Sequence, residues 1–138
     1  MRDPLDTTID EPPFDADEAT HLLFSVDRSR AQFAWKVGGL TADQLHRRAV
    51  PTSSLDDPAD DLYAVWSQAV RRARAAWSEA IGDGGLGQPS KLVFDDGACP
   101  TLRRALVDLS DEYARHVGHA DLLREAIDGL VGEDPPQT

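Results

Sequence analysis

Residues 101–131 read TLRRALVDLSDEYARHVGHADLLREAIDGLV, and this stretch decides the fold. Its apolar side chains recur every three to four residues, which is the spacing of one face of an α-helix. The face consists of two rows with a seven-residue repeat: Leu102, Leu109, His116, Leu123 and Leu130, and beside them Leu106, Tyr113, Ala120 and Ile127. A long helix that packs into a helical bundle is therefore predicted here.

His116 is the polar exception in its row, and the register predicts that its side chain points into the bundle. Glu112 lies four residues before it and His119 three residues after it, so the three side chains share one helix face. Imidazole and carboxylate groups arranged in this way suit a divalent metal ion. We therefore predict His116, His119 and Glu112 as metal ligands. In the alternative interpretation, His116 is a core histidine that hydrogen-bonds to Tyr113, a backbone carbonyl or water.

Two further long helices and one short helix are predicted in the rest of the chain. The first long helix is capped by Asp15 and ends at Gly38, the short helix begins at Thr41, and an amphipathic helix runs from Pro58 to Ile81. A connector rich in Gly, Asp and Pro follows over residues 82–100. The fold class is therefore all-α.

One domain is expected, over residues 15–131, between a flexible acidic arm at 1–14 and a flexible tail at 132–138. The chain has 25 acidic and 14 basic residues and a formal net charge of -11. No nucleic-acid binding is expected, because phosphate contacts need clustered basic residues, and the arginines at 71, 72 and 74 are predicted to form a solvated helix face.

No apolar run approaches the roughly 20 residues that cross a bilayer, and the N-terminus has no apolar signal core. We therefore expect no membrane segment and a cytoplasmic location. Cys99 is the only cysteine, which excludes an intrachain disulfide and agrees with a reducing compartment.

Three stretches of the chain resemble the DinB-like superfamily, most closely its small members related to mycothiol-dependent transferases. They are DRSRAQFAWK at 27–36 with the residues that follow to Pro51, the helix from Leu62 to Trp77, and EYARHVGHADLLRE at 112–125. The resemblance implies a four-helix bundle with a divalent metal, zinc or nickel, held by three residues that include histidines. It also implies that the metal activates the thiol of a low-molecular-weight cofactor such as mycothiol.

The chain departs from this family after Leu55. The family continues there into a long second helix that supplies the first metal ligand, whereas this chain runs directly into Asp56, Asp57 and Pro58. The expected fold is therefore a DinB-like bundle reduced to three long helices plus a short one. An apolar seam is left exposed in such a bundle.

A homodimer is predicted to cover that exposed seam. Such a dimer would also bring His116 and His119 of two chains together in one shared site. Alternatively, His21 or His46 supplies the missing metal ligand.

The predicted function is that of a DinB-like protein that binds a divalent metal. The enzymatic hypothesis is a metal-dependent thiol S-transferase that joins a small-molecule thiol to an electrophile, with Tyr113 or Asp121 positioning the substrate. The alternative is a degenerate, metal-free module for protein interaction or small-ligand binding, with an apolar ligand enclosed by Trp35, Trp66 and Trp77. Metal content distinguishes the two, since only the first requires a bound metal ion.

Overall fold

The computed structural model describes residues 6–45 and 58–137. They form four helices: α1 (Glu18–Val37), α2 (Ala42–Leu45), α3 (Ala59–Gly84) and α4 (Leu102–Asp128). This part of the chain contains no β-strand and has one isolated bridge, between Pro89 and Thr101. The prediction of an all-α fold with three long helices and a short one is therefore confirmed. Residues 46–57, which contain His46 and the departure after Leu55, lie outside the described residues.

Two helix ends differ from the sequence prediction. The cap of α1 is Asp17 and not Asp15, because the Asp17 carboxylate accepts a hydrogen bond of 2.8 Å from the backbone N–H of Thr20. Helix α4 stops at Asp128 and does not reach residue 131. Gly129 ends it by adopting a left-handed conformation with a φ of 78°, which glycine tolerates best.

The long helices have a definite relative direction. Helices α1 and α4 run parallel and are the closest-packed pair. Glu18 accepts a hydrogen bond of 2.7 Å from Arg103 near their N-termini, and Lys36 forms an ion pair with Asp121 near their C-termini. Helix α3 runs in the opposite direction, since Tyr63 near its start donates a hydrogen bond to the last carbonyl of α1. The three long helices therefore form a mixed parallel and antiparallel bundle.

The hydrophobic core fills one end of this bundle, near the start of α1 and α4. Its centre consists of Val26, Leu86 and Leu106, of which Leu106 has no exposed surface. Partly buried side chains surround them: Leu22, Leu23, Trp77, Ile81, Leu109 and Tyr113. Leu86 comes from the connector, and the N–H of Arg103 donates to the Leu86 carbonyl at 3.0 Å. The connector therefore contributes to the core as well as linking two helices.

The C-terminal segment after α4 contacts both α1 and the N-terminal segment of the chain. The Asp134 carboxylate accepts two hydrogen bonds from the Arg28 guanidinium, at 3.1 and 2.5 Å, and one of 2.8 Å from Gln32. Near the chain ends, the Gln137 side chain accepts a hydrogen bond of 2.9 Å from the N–H of Ile9. The division into arm, domain and tail stays a prediction, but both terminal segments make defined contacts.

Replacing Asp134 by Asn should lower the free energy of unfolding by about 1 kcal/mol at pH 7, because the pair with Arg28 is partly exposed and screened. The hydrogen bonds from Arg28 and Gln32 lower the pKa of Asp134 below its ordinary value of 3.8. A lowered pKa gives stability that is present above 3.8 and is lost as the pH falls through the lowered value. Urea unfolding of both proteins from pH 7 to pH 2 should therefore show their difference shrinking on the acid side. A difference that is constant with pH would contradict this account.

Candidate metal and ligand site

A cavity of about 620 Å³ lies toward the C-terminal ends of α1 and α4. All four helices contribute to its walls. The apolar lining is Phe33, Val37, Leu40, Leu45, Trp66, Leu109, Ala120, Leu123 and Ile127, and the polar lining is Lys36, Gln44, Glu112, Tyr113, His116, His119 and Arg124. The cavity therefore lies further along the bundle than the centre of the core, and Leu109 and Tyr113 contact both.

The predicted seam of α4 faces this cavity in its C-terminal half, but His116 is not inside the bundle. The His116 side chain is 64% exposed, and Leu123, one place further along the same row, is 37% exposed. The prediction that His116 points into the interior is therefore wrong. The described helices leave this part of the α4 face open, so the imidazole lies at the edge of the cavity.

The three predicted metal ligands lie together at that edge. The His116 and His119 ring centres are 6.2 Å apart with the rings nearly perpendicular, at 77°. The Oε2 of Glu112 is 3.7 Å from His116 Nε2, and its Oε1 accepts a hydrogen bond of 2.8 Å from Arg115. Two imidazoles that share one tetrahedral zinc ion have ring centres about 5 Å apart. A modest rotation of these exposed side chains would close that difference.

The donor atoms suit a divalent metal, but their number is short of a complete site. Among the described residues, no group of three or more His, Cys, Asp or Glu side chains is placed so that it could hold a metal ion. A catalytic zinc site usually has three protein ligands, and a structural one has four. The described part of one chain therefore offers two imidazoles at this edge, with a carboxylate that already faces His116 and Arg115.

The alternative of a core histidine bonded to Tyr113 does not agree with the structure. The Tyr113 hydroxyl is instead within 3.4 Å of Arg30 Nε, which donates to it, and the Arg30 guanidinium lies 5.5 Å from the centre of the Tyr113 ring. Arg30 is itself buried and also donates to Asp27 at 2.9 Å. Tyr113 therefore lines the cavity with a hydroxyl that is held from α1.

Asp121, the second candidate for positioning a substrate, does not line this cavity. It faces a separate depression of about 440 Å³ on the other side of α4. Its carboxylate forms an ion pair with the buried Lys36, whose side chain borders both spaces. Asp121 is therefore connected to the cavity by its ion pair with Lys36.

Sequence reasoning missed Lys36 and Arg124. The Arg124 guanidinium donates hydrogen bonds of 2.9 and 2.8 Å to the carbonyls of Lys36 and Gly38, at the C-terminus of α1. The predicted helix stop at Gly38 was a usable signal, because a helix end leaves carbonyl groups that need donors. The helix stop did not indicate that Arg124 of α4 would donate the hydrogen bonds to these carbonyls.

The other residues considered from the sequence lie apart from the two histidines. Trp66 lines the cavity and packs on Phe33 with ring centres 5.6 Å apart, whereas Trp35 and Trp77 line other depressions. The prediction that three tryptophans enclose one ligand is therefore wrong. His21 lies one turn from Glu18, about 20 Å along the bundle from the cavity at a rise of about 1.5 Å per residue, so it is not the missing ligand.

These features define an all-α bundle with an apolar cavity that is edged by a His-x-x-His pair. A family model described as mycothiol-S-transferase matches residues 54–129, which is more than half of the chain. The chain therefore belongs to the mycothiol-S-transferase family, a DinB-like family, and the resemblance predicted from the sequence is confirmed. The matched region contains α3, the connector and α4 with both histidines. No curated protein and no solved structure matches the chain.

Proposed function

We propose that this protein is a metal-dependent thiol S-transferase that binds a divalent zinc or nickel ion through His116 and His119. The observation that carries the proposal is that both imidazoles and Glu112 lie at the edge of one large apolar cavity. Membership of the mycothiol-S-transferase family supports the reaction class. A low-molecular-weight thiol such as mycothiol and an electrophile are the proposed substrates.

The cavity suits a small organic molecule. Ligand sites commonly have volumes of about 300–1,000 Å³ and apolar walls with a few polar groups, and this cavity has about 620 Å³. Its apolar walls, including Phe33 and Trp66, would hold the carbon skeleton of an electrophile. The polar edge with the histidines would receive the thiol.

The residues at the edge have distinct proposed roles. His116 and His119 would hold the metal, and a bound metal would lower the pKa of a thiol so that the thiolate exists at neutral pH. Glu112 would orient His116 by accepting a hydrogen bond from its ring, or serve as a third ligand. Arg115 would keep the Glu112 carboxylate in place, since it holds the other oxygen.

Tyr113 and Lys36 would shape the cavity next to this edge. Arg30 fixes the Tyr113 hydroxyl, so the Tyr113 ring presents a defined wall to the substrate. Asp121 fixes Lys36 by charge and so acts as a positioning residue. Arg124 holds the end of α1, from which Val37 lines the cavity.

Metal content tests the proposal directly. Protein purified without chelators should contain about one zinc or nickel ion per chain or per two chains. The His116→Ala variant should lose that metal, while a His21→Ala variant should keep it because His21 is outside the cavity. Elemental analysis of the three proteins gives the result. Equal metal in all three proteins, or none in the wild type, would overturn the proposal.

A metal-free module that binds a small apolar ligand is the second candidate. It is favoured by the incomplete donor set of one chain, since the described residues bring no three metal-binding side chains together. This candidate predicts that apolar small molecules quench Trp66 fluorescence in protein without metal, and that a Trp66→Phe variant loses the signal. It also predicts that His116→Ala binds the ligand as well as the wild type.

The cytoplasmic location and the absence of nucleic-acid binding stay predictions. No helix in the described part of the chain has the length and apolar character needed to cross a membrane. A homodimer is likewise proposed, because a second copy would cover the exposed face of α4 that carries the histidines.

A further inference from the structure

The two tyrosines of the chain use their hydroxyl groups in opposite ways. The hydroxyl of Tyr63 donates its hydrogen to the carbonyl of Val37 at the end of α1. The hydroxyl of Tyr113 instead accepts a hydrogen bond of 3.4 Å from Nε of Arg30. A guanidinium group has donors only, so Arg30 cannot receive the Tyr113 hydrogen. The described residues offer no other partner for this hydroxyl, so its hydrogen is left for a ligand.

The half-buried Tyr113 side chain lies between the core and the edge that carries the histidines. Arg30 approaches the hydroxyl from α1 and is not part of the cavity wall, whereas Tyr113 is. The guanidinium therefore leaves the cavity side of the hydroxyl to a bound molecule. His116 is three residues further along α4, so the two side chains project from neighbouring turns of one helix face. A hydrogen-bond donor thus lies in the cavity about one turn from the proposed thiol position.

Arg30 holds this donor in place and strengthens it. The Arg30 side chain is buried and donates at 2.9 Å to Asp27, which also accepts a hydrogen bond of 3.1 Å from Arg74. Its guanidinium lies 5.5 Å from the centre of the Tyr113 ring. A charged group that donates to a hydroxyl oxygen polarises the O–H bond, which makes the hydrogen a better donor. Arg30 is therefore a positioning residue for Tyr113.

We infer that the Tyr113 hydroxyl donates a hydrogen bond to the oxygen of the electrophile, and that this electrophile is an α,β-unsaturated carbonyl compound. The inference rests on the proposed thiol transfer and names its second substrate by chemical class. Thiolate addition to such a compound moves an electron pair onto the carbonyl oxygen, and a donor aimed at that oxygen stabilises the charge. An alkyl halide has no such oxygen. The apolar walls at Phe33 and Trp66 suit the carbon skeleton.

The addition balances in atoms and electrons. The thiol loses its proton to water, and the thiolate sulfur forms a bond to the β-carbon of the alkene. The electron pair of the C=C π bond shifts so that negative charge develops on the carbonyl oxygen, which accepts the hydrogen bond from Tyr113. Water then returns a proton to the α-carbon, and the carbonyl double bond re-forms in the thioether product. Tyr113 keeps its own hydrogen, and no oxidant or reductant is required.

Two aromatic electrophiles test the inference in zinc-loaded protein with mycothiol as the thiol, followed by the loss of free thiol. Benzalacetone is an unsaturated ketone, whereas benzyl chloride contains no oxygen. Tyr113→Phe should lower kcat/KM for benzalacetone about a hundredfold, as expected when one donor to a developing oxyanion is removed. It should leave kcat/KM for benzyl chloride within a factor of about two. Equal losses with both electrophiles, or no loss with either, would overturn the inference.

Tyr63→Phe is the matched control. It removes the same hydroxyl group from the other tyrosine, which lines a separate depression. Its hydrogen bond to the Val37 carbonyl is lost, so a small loss of stability is expected. The ratio of the two kcat/KM values should stay at the wild-type value. A ratio that falls as far as in Tyr113→Phe would show that the effect does not come from a donor in the cavity.

A binding experiment without metal or thiol separates the inference from the proposed function. Acetophenone and ethylbenzene have nearly the same shape, but only acetophenone has an oxygen. Their displacement of the fluorescent probe N-phenyl-naphthylamine from metal-free protein gives both Kd values. Tyr113→Phe should weaken acetophenone binding about tenfold, because the ketone loses its hydrogen bond in an apolar cavity. The Kd of ethylbenzene should not change, which also shows that the variant is folded.

The two experiments give distinguishable failures. A wild type that transfers thiol to neither electrophile, but whose Tyr113→Phe variant selectively loses acetophenone, would overturn the proposed function and support the hydrogen-bond donor. Thiol transfer by a protein whose acetophenone binding is unchanged in Tyr113→Phe would support the proposed function and overturn the inference. Equal weakening of both compounds in the variant, or binding of neither by the wild type, would also overturn the inference.

Discussion

Replacement of Leu106 by alanine should lower the free energy of unfolding by about 3 kcal/mol, the middle of the range for buried leucines. Leu106 has no exposed surface and belongs to the same core cluster as Val26 of α1 and Leu86 of the connector. The substitution removes apolar contacts among three separate parts of the chain and leaves a cavity between them. Domains of this size have a total stability of about 5–15 kcal/mol, so the loss is large.

Val107 provides a matched control, because it is the next residue on the same helix and is 48% exposed. Val107→Ala should change the free energy of unfolding by less than about 0.5 kcal/mol. Urea unfolding gives both values, and thermal unfolding should show a decrease of about 10 °C for Leu106→Ala only. Similar losses in the two variants would mean that the core is not centred on Leu106.

The periodicity of α4 predicted its apolar face, but it could not predict what covers that face. Leu102 and Leu106 in the first half are buried as expected. In the second half the same rows continue to Leu123 and border an open cavity. The repeat in one helix shows which side chains lie on the same face of that helix. How deeply they are buried depends on the other helices that pack against this face. This is why His116 was predicted on the correct face and at the wrong depth.

The candidate site was predictable to the extent that it is local. His116, His119 and Glu112 lie within two turns of one helix, so their proximity follows from helix geometry. The contacts of Arg30 with Tyr113 and of Arg124 with α1 join residues that are more than 80 positions apart. Such contacts depend on how α1 and α4 pack, and no spacing in the sequence encodes that packing.

Errors in the helix ends have a similar origin. Asp15 and Asp17 are both suitable caps by residue type. Asp17 is the cap because its carboxylate accepts a hydrogen bond from the N–H of Thr20. The N–H of Ala16 donates to the Pro13 carbonyl in a preceding turn. Leu86 was likewise overlooked, since a glycine-rich connector gives no periodic signal that one of its residues is buried.

The buried side chain of Lys36 forms an ion pair with Asp121. Lys36 has no exposed side-chain surface, and its Nζ lies 4.2 Å from the centre of the Trp35 ring. Asp121 is its charged partner; the contact is close enough for an ion pair but is not aligned as a hydrogen bond. Attraction between the two charges, together with the aromatic ring, therefore holds the buried ammonium group.

Replacing Asp121 by Asn should lower the free energy of unfolding by about 2–3 kcal/mol. Breaking a fully buried pair costs about 3–5 kcal/mol because the remaining charge has no partner; the lower figure applies because Asp121 is 46% exposed. The double variant Lys36→Met with Asp121→Asn removes both charges and should regain most of that loss. Urea unfolding of the single and double variants measures the coupling between the two residues.

Asp108→Asn is the control for this pair, because Asp108 is 54% exposed and pairs with the exposed Arg104 on the same helix. It should cost no more than about 0.5 kcal/mol. If Asp121→Asn costs as little as Asp108→Asn, the Lys36 ammonium has another partner in solution. If the single variant is destabilised and the double variant gains nothing back, Asp121 stabilises α4 by contacts other than its charge on Lys36. Recovery in the double variant would instead show that the wall of the cavity beside α1 depends on one buried charge and its partner.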